Sequence, residues 1–280
     1  MAVRKPAVAG SFYPAEKEEL IDLIRASYLH PLGPGRLPPA PWTSDGVVAC
    51  VVPHAGYVYS GPVAAHSFLH VSSQRRPELI VIVAPNHYGV GSGVSSYRGG
   101  EWETPLGRMK VDQAAAEALA SSTGILDFDP ASHQLEHSLE VQLPFLQLIY
   151  GDSVPFVPIS ISFQDLATTQ TLAEGVAKLV RGKRAVLVAS SDLTHYERAE
   201  VAKGKDTALV REMEKMDVDA FYSKLQQLEI TACGFGAIST VMQAARILGF
   251  KKGELLKYAS SGDTTGDNNQ VVGYCSLRFV

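Results

Sequence analysis

The sequence predicts an α/β fold in which a largely parallel sheet is covered by helices on both faces, and three observations lead there. Short β-branched runs alternate with amphipathic stretches of helical period along the chain. The runs are apolar, as strands buried on both faces tend to be. Three of them end in a polar cluster, CVVPHAG, IVAPNHYG and LVASSDLTHY. In open α/β sheets, ligands bind beyond the carboxyl ends of the strands, so these clusters are expected to meet in one crevice.

In chain order, helical periodicity at residues 15–27 opens the fold. The stretch 30–46 is dense in Pro and Gly. It reads as a surface loop rather than an interdomain linker, because the helix before it is too short to make a domain. A strand at 47–52 is followed by a helix at 61–70, a strand at 79–84, and helices at 113–121 and 138–148. Strands at 154–161 and 185–190 flank a helix at 165–180. Helices at 197–216, 218–225 and 237–248, with Gly236 opening the last, precede a final strand at 271–279. No repeat of solenoid period and no later boundary interrupts this pattern, so a single domain over residues 1–280 is expected.

Hydrophobic residues make up 46% and charged residues 19%, which sets aside disorder, collagen-like repeats and coiled coil. The net charge of -4, with Lys and Arg scattered, offers no basic field for nucleic acid. No apolar run reaches the roughly 18 residues of a membrane span. The opening MAVRKPAVAGSFYPAE is too rich in Pro and Gly for a secretory signal, so a cytoplasmic location is expected. Three cysteines, far apart and odd in number, do not form a disulfide framework. Cys50 and Cys275 lie in apolar, strand-like runs and read as small hydrophobes, whereas Cys233 stands in the glycine-bounded TACGFGA.

The residues able to carry chemistry cluster at the strand ends. His54 follows Pro53 and precedes Ala55-Gly56; His87 repeats the arrangement in Pro85-Asn86-His87-Tyr88-Gly89. Each imidazole either caps its turn or ligates a metal, and their recurrence at equivalent places favours the ligand role. Asp192 stands three residues before His195, where it can orient the ring, bind a metal itself, or cap a helix. Cys233 precedes a helical segment whose dipole would favour its thiolate, suiting nucleophilic chemistry, a soft metal, or simply close packing. The segment HQLEHSLEVQ holds two His and two Glu at i, i+4 but is not His-Glu-x-x-His. A cap at Ser138 with a solvated acidic first turn accounts for it, leaving Glu136 and His137 as candidates for a pocket wall. His30, His66 and His70 read as loop or helix-face residues. No phosphate-binding glycine loop and no Gly-x-Ser-x-Gly is present, so nucleotide and serine-hydrolase chemistry lack support.

The order of motifs resembles that of the Memo family, named for a mediator of receptor-driven cell motility. Its marks here are Arg4-Lys5-Pro6-Ala7-Val8-Ala9-Gly10, Phe12-Tyr13-Pro14, Pro53-His54-Ala55-Gly56-Tyr57, Pro85-Asn86-His87, Glu136-His137-Ser138-Leu139-Glu140, Ser191-Asp192-Leu193-Thr194-His195-Tyr196, Cys233-Gly234 and Ser261-Gly262-Asp263. The resemblance implies a three-layer α/β/α sandwich like that of the class III extradiol ring-cleaving dioxygenases. It further implies His54 and His87 as imidazole ligands and His195, helped by Asp192, as acid and base. Cys233 falls where those dioxygenases supply a carboxylate; a thiolate is softer, more oxidisable and more attractive to copper. Tyr57, Asn86, Glu136 and His137 are the expected pocket residues.

Three functions stay open on this reading. The first is a redox enzyme using iron or copper, dioxygenase-like, on an unidentified small molecule. The second is a non-catalytic protein that handles or senses metal or binds a peptide, in keeping with animal relatives associated with signalling and metal homeostasis. The third is a zinc hydrolase. Prokaryotic relatives accompany a radical-SAM protein and a small partner, which implies a shared pathway.

Overall fold

Four apolar runs, Val47–Val52, Ala185–Ser190, Leu79–Pro85 and Phe156–Ile161, pair in that order as the parallel centre of a nine-stranded mixed sheet. The description is that of a computed structural model covering residues 3–38 and 45–280. The middle of the expected loop at 30–46, and the first two residues of the N-terminal stretch, lie outside the described residues. Antiparallel strands close both sides: Val271–Phe279 against Val47–Val52, and Val94–Ser96 against Phe156–Ile161. Gly253–Ser260 runs antiparallel to Val271–Phe279.

Successive side chains of a strand point to opposite faces, so each central strand feeds two cores. Ala49, Val51, Val81 and Leu187 pack on one face beneath the helices Leu166–Val180, Ala199–Lys215 and Phe235–Leu248. Val48, Cys50, Ile80 and Val188 pack on the other, beneath Lys17–Leu29, Tyr57–Val71 and Leu143–Tyr150. The result is the three-layer α/β/α sandwich that the sequence predicts. Cys50 and Cys275 are buried free thiols inside strands, as expected.

Seven further strands have no apolar run of their own: Val3–Arg4, Val94–Ser96, Glu101–Thr104, Gly107–Lys110, Asp127–Phe128, His195–Glu197 and Gly253–Ser260. Most are two to four residues long, too short for a period to register. Three of them, Val3–Arg4, Glu101–Thr104 and Gly107–Lys110, form a separate small sheet. The helix expected from 197 starts at Ala199 instead, because Glu197 pairs with Val271 and Tyr196 holds a left-handed backbone with φ of 60°.

The expected helix at 138–148 also divides. A 3-10 turn at Glu140–Gln142 leads into the α-helix Leu143–Tyr150, which Pro144 opens from a position where its missing N–H costs nothing. Ser138 caps nothing; its Oγ donates to Pro85 O at 3.0 Å. Nor is the acidic turn solvated. Glu140 is fully buried, ion-paired with Arg4 Nη1 at 2.6 Å, and accepts from the N–H groups of Ala7 and Val8 and from Tyr13 Oη. Arg4 also donates to the carbonyls of His133 and Glu136, and its guanidinium lies 4.2 Å above the Trp102 ring. The Arg4–Tyr13 segment is thereby fastened to the segment carrying Glu136 and His137.

Buried neutral histidines make the fold acid-sensitive. Burial, and then the Arg4 charge, hold His133 down to about 3, and burial holds His70 down to about 4. Because these folded values lie below the unfolded one, each contributes stability that is present above about pH 6.5 and is lost as pH falls. The loss is about 1.4 kcal/mol per pH unit per histidine until the folded value is reached. Asp192 and Asp206, raised by burial, work in the opposite sense over part of this range, but the lowered histidines outnumber them. The urea midpoint is expected to be lower at pH 5 than at pH 7.5; an unchanged midpoint would contradict this account.

Candidate metal centre

The central strands end on one side of the sheet, and the residues just past them meet there. His54 follows Val47–Val52, His87 follows Leu79–Pro85, and Asp192 follows Ala185–Ser190. Cys233 arrives from a loop ahead of the helix Phe235–Leu248. Gly234 lets it come this close, since a Cβ there would strike the Ser190 carbonyl and the Ser191 side chain. One ligand atom from each of His54, His87 and Cys233 lies within 4.8 Å of the others.

Hydrogen bonds decide which nitrogen each ring presents. Ser190 Oγ spends its one proton on Ser138 O at 2.7 Å and accepts from Gln142 Nε2 at 2.8 Å. It can therefore only accept from His54 Nδ1, also at 2.8 Å, which places the His54 proton on Nδ1 and leaves Nε2 with a bare lone pair. His87 Nδ1 donates to Glu136 Oε1 at 2.9 Å, which leaves Nε2 as its uncommitted nitrogen. Glu136 is almost fully buried and also accepts from the His87 and Ser138 N–H groups. Although burial opposes ionisation, these bonds and the nearby imidazoles pull its carboxyl down to about 2. Both candidate ligands thus have the outer partner that orients a metal-binding imidazole.

Cys233 Sγ lies 3.0 Å from His54 Nε2. Burial, and then the Asp192 carboxylate, push its thiol well up, so the sulfur donates its proton to the bare nitrogen. This corrects the expectation of a thiolate favoured by the helix dipole: burial and the neighbouring acid outweigh the dipole. Metal bonds of about 2.0–2.3 Å hold nitrogen and sulfur donors roughly 3.1–3.6 Å apart. An ion that displaces this one proton therefore needs only a slight parting of the pair, and the donor set fits a mononuclear transition metal.

Asp192 plays a different part from the one expected. Its Oδ1 accepts from the His54 N–H at 2.8 Å, which fixes the turn carrying that ligand. No hydrogen bond joins it to His195, and it caps no helix, since the next helix has Arg198 at its N-cap. Burial pushes its carboxyl up to about 7. His195 is instead held by Thr231, whose hydroxyl accepts from the His195 N–H and whose carbonyl accepts from Nδ1 at 3.0 Å. That leaves its Nε2 unspent, with burial lowering the ring's proton affinity.

Against His54 and His87 opens a cavity of about 610 Å³ whose wall also includes His137, Asp192 and His195, with Cys233 outside its lining. His137 stacks on His87 with ring centroids 4.6 Å apart, and burial holds it down to about 4. Glu136 sits behind the wall, bonded to His87. Two more expected pocket residues, besides Glu136, do not reach the cavity. Tyr57 is buried against Tyr13 and Phe145, with its hydroxyl on Val141 O, and Asn86 closes its own loop through Val90 O and the Gly89 N–H. Residues not anticipated complete the site: Ser190 and Gln142 behind His54, and Phe12, Tyr59 and Tyr274 in the wall. Ser190 carries a weak signal as the first polar residue of its strand's apolar run, and Phe12 one as part of the Phe12-Tyr13-Pro14 motif; Tyr59 and Tyr274 carry none.

Fold and site together define a class: an α/β/α sandwich with histidines and one cysteine gathered beyond the strand ends in a metal-ligand arrangement. A family model described as Memo-like protein matches residues 4–278, and the chain belongs to the Memo family. Its relatives include proteins named MEMO1 family protein from Nitrosopumilus maritimus, 43% identical over 99% of this chain and 100% of the relative, and from Sulfolobus acidocaldarius, 46% identical over 99% of each. Among solved structures, an uncharacterized protein from Escherichia coli K12 shares the fold. It aligns with a TM-score of 0.56 at 15% identity, covering 83% of this chain and 99% of that one.

Proposed function

We propose that the protein is a metal-dependent redox enzyme acting in the cytoplasm on a small molecule bound in the strand-end cavity. One observation carries this reading: two imidazoles, each with Nδ1 already committed, stand with a cysteine sulfur in a group whose ligand atoms lie within 4.8 Å of one another, His54 Nε2 being 3.0 Å from that sulfur. His54, His87 and Cys233 would hold iron or copper, which when bound supplies electron transfer to dioxygen or a related oxidant. Glu136 and Ser190 keep the two rings in register by accepting their Nδ1 protons. His195, anchored through Nδ1 and presenting Nε2 to the cavity, takes a proton from the substrate and returns it.

Protein prepared without added metal is expected to carry about one iron or copper per chain and to consume oxygen with members of a catechol panel. Turnover is expected to fall by about 100-fold or more in His195→Ala, with metal content unchanged. Only trace metal and no oxygen uptake would sink the proposal. Tight metal binding without any turnover would make the site one for metal handling or sensing, and zinc as the resident metal would favour hydrolysis.

A further inference from the structure

The Ser261-Gly262-Asp263 motif and the strand beside it take no part in holding a metal, yet Ser261 and Tyr274 both reach the wall of the strand-end cavity. The strands Gly253–Ser260 and Val271–Phe279 pair with Ser260 opposite Gly273, and this register brings Ser261 and Tyr274 to the same end of the pair. The Ser260 N–H and Oγ both donate to Asp263, which fixes the turn carrying Ser261. Ser261 Oγ in turn accepts from the Val272 N–H at 3.0 Å. Its own proton finds no acceptor among the described residues.

Tyr274 adds an independent observation. It is 2% exposed, and its ring packs with Val63 and Ala259. A buried tyrosine hydroxyl usually finds a hydrogen-bond partner, as those of Tyr13, Tyr57 and Tyr150 do here. The Tyr274 hydroxyl has none among the described residues, and unlike that of Tyr28, which is sealed in the core, it belongs to a residue that lines the cavity. Burial pushes the phenol up, so it keeps the proton it offers. Ser261 lies close enough to temper that shift, but no hydrogen bond joins the two hydroxyls. Two O–H donors therefore stand at one stretch of wall with no acceptor among the described residues. A carbonyl oxygen, with two lone pairs in one plane, accepts from two such donors at once.

We propose that the small molecule bound in the cavity carries a carbonyl oxygen held by the Tyr274 and Ser261 hydroxyls, and that these two residues select it over the same molecule without that oxygen. An analogue lacking the acceptor would cover both donors and leave them unpaired, which is the strongest form of discrimination a site built for hydrogen bonding has. The inference rests on the cavity being the small-molecule site of the proposed function, but not on any metal being bound, since neither residue is among the three candidate ligands.

Calorimetry on metal-free protein with two phenols of similar shape tests it: 4-hydroxyacetophenone, and 4-ethylphenol, which lacks the oxygen. The ketone is the less apolar of the two, so burial alone would favour 4-ethylphenol. Two hydrogen bonds are expected to reverse that order and make 4-hydroxyacetophenone bind at least about tenfold more tightly. Tyr274→Phe is expected to bring the two probes within about threefold by weakening the ketone alone, and Ser261→Ala to weaken the ketone while leaving 4-ethylphenol unchanged. Because the hydroxyl deleted in Tyr274→Phe bonds no described residue, the urea midpoint of that variant is expected to match wild type. Equal or tighter binding of 4-ethylphenol to the wild type, a Tyr274→Phe ratio equal to wild type, or no binding of either probe overturns the inference, and a lowered midpoint in Tyr274→Phe would assign the hydroxyl to the fold instead. Absence of metal or of turnover would count against the redox reading and leave this comparison standing.

Discussion

Glu140→Ala is expected to cost the fold about 3–5 kcal/mol, the usual result of stripping one member from a buried ion pair. Glu140 has no exposed surface, and its two oxygens satisfy the Arg4 guanidinium, two backbone N–H groups and the Tyr13 hydroxyl. Burial, reinforced by the Glu140 carboxylate, pushes the Tyr13 phenol far up, so it stays a donor and shares the loss. Without Glu140 a buried cation and three donors lose their acceptor at once. The effect is read from urea midpoints at constant slope, and a change below about 1 kcal/mol would show that water replaces the carboxylate. Because Arg4 also holds the Glu136 carbonyl, the loosened segment is expected to weaken metal binding as well.

Cys233→Ser is expected to weaken binding of the resident metal by more than about 100-fold, while the fold is kept. Serine preserves the shape at a position where Gly234 already sets the close approach, but a hydroxyl is a hard and reluctant donor beside two imidazoles. The companion Glu136→Gln is expected to lose about 10–100-fold, because it removes an orienting partner and not a ligand. Competition titration against a chelator separates the two sizes of effect. Unchanged affinity in Cys233→Ser would remove the sulfur from the site and leave it as a hydrogen-bond donor to His54.

The strand runs, the helices and the strand-end positions of His54, His87 and Asp192 were legible in the sequence, because burial on both faces writes itself into consecutive residues. The segment around Glu136 and Glu140 was the least legible. Its acids look solvated in a one-dimensional pattern, and only folding brings Arg4, 136 residues away, to bury and pair with Glu140. The same holds for the partner of His195. Asp192 is close in sequence, yet the ring is held by Thr231, 36 residues on, because His195 joins a strand that turns it away from the preceding loop.

The sequence by itself determined the class of fold and the face on which the chemistry gathers, both from local residue patterns, while its three candidate ligands came from the order of motifs shared with the Memo family. Tertiary structure alone decided what each ligand presents: Ser190 and Glu136 choose the tautomers of His54 and His87, and burial keeps the Cys233 proton in place. It also decided the make-up of the cavity, whose wall gathers side chains from Phe12 to Tyr274. Proton positions and cavity walls depend on neighbours distant in sequence, and those neighbours meet only once the chain has closed on itself.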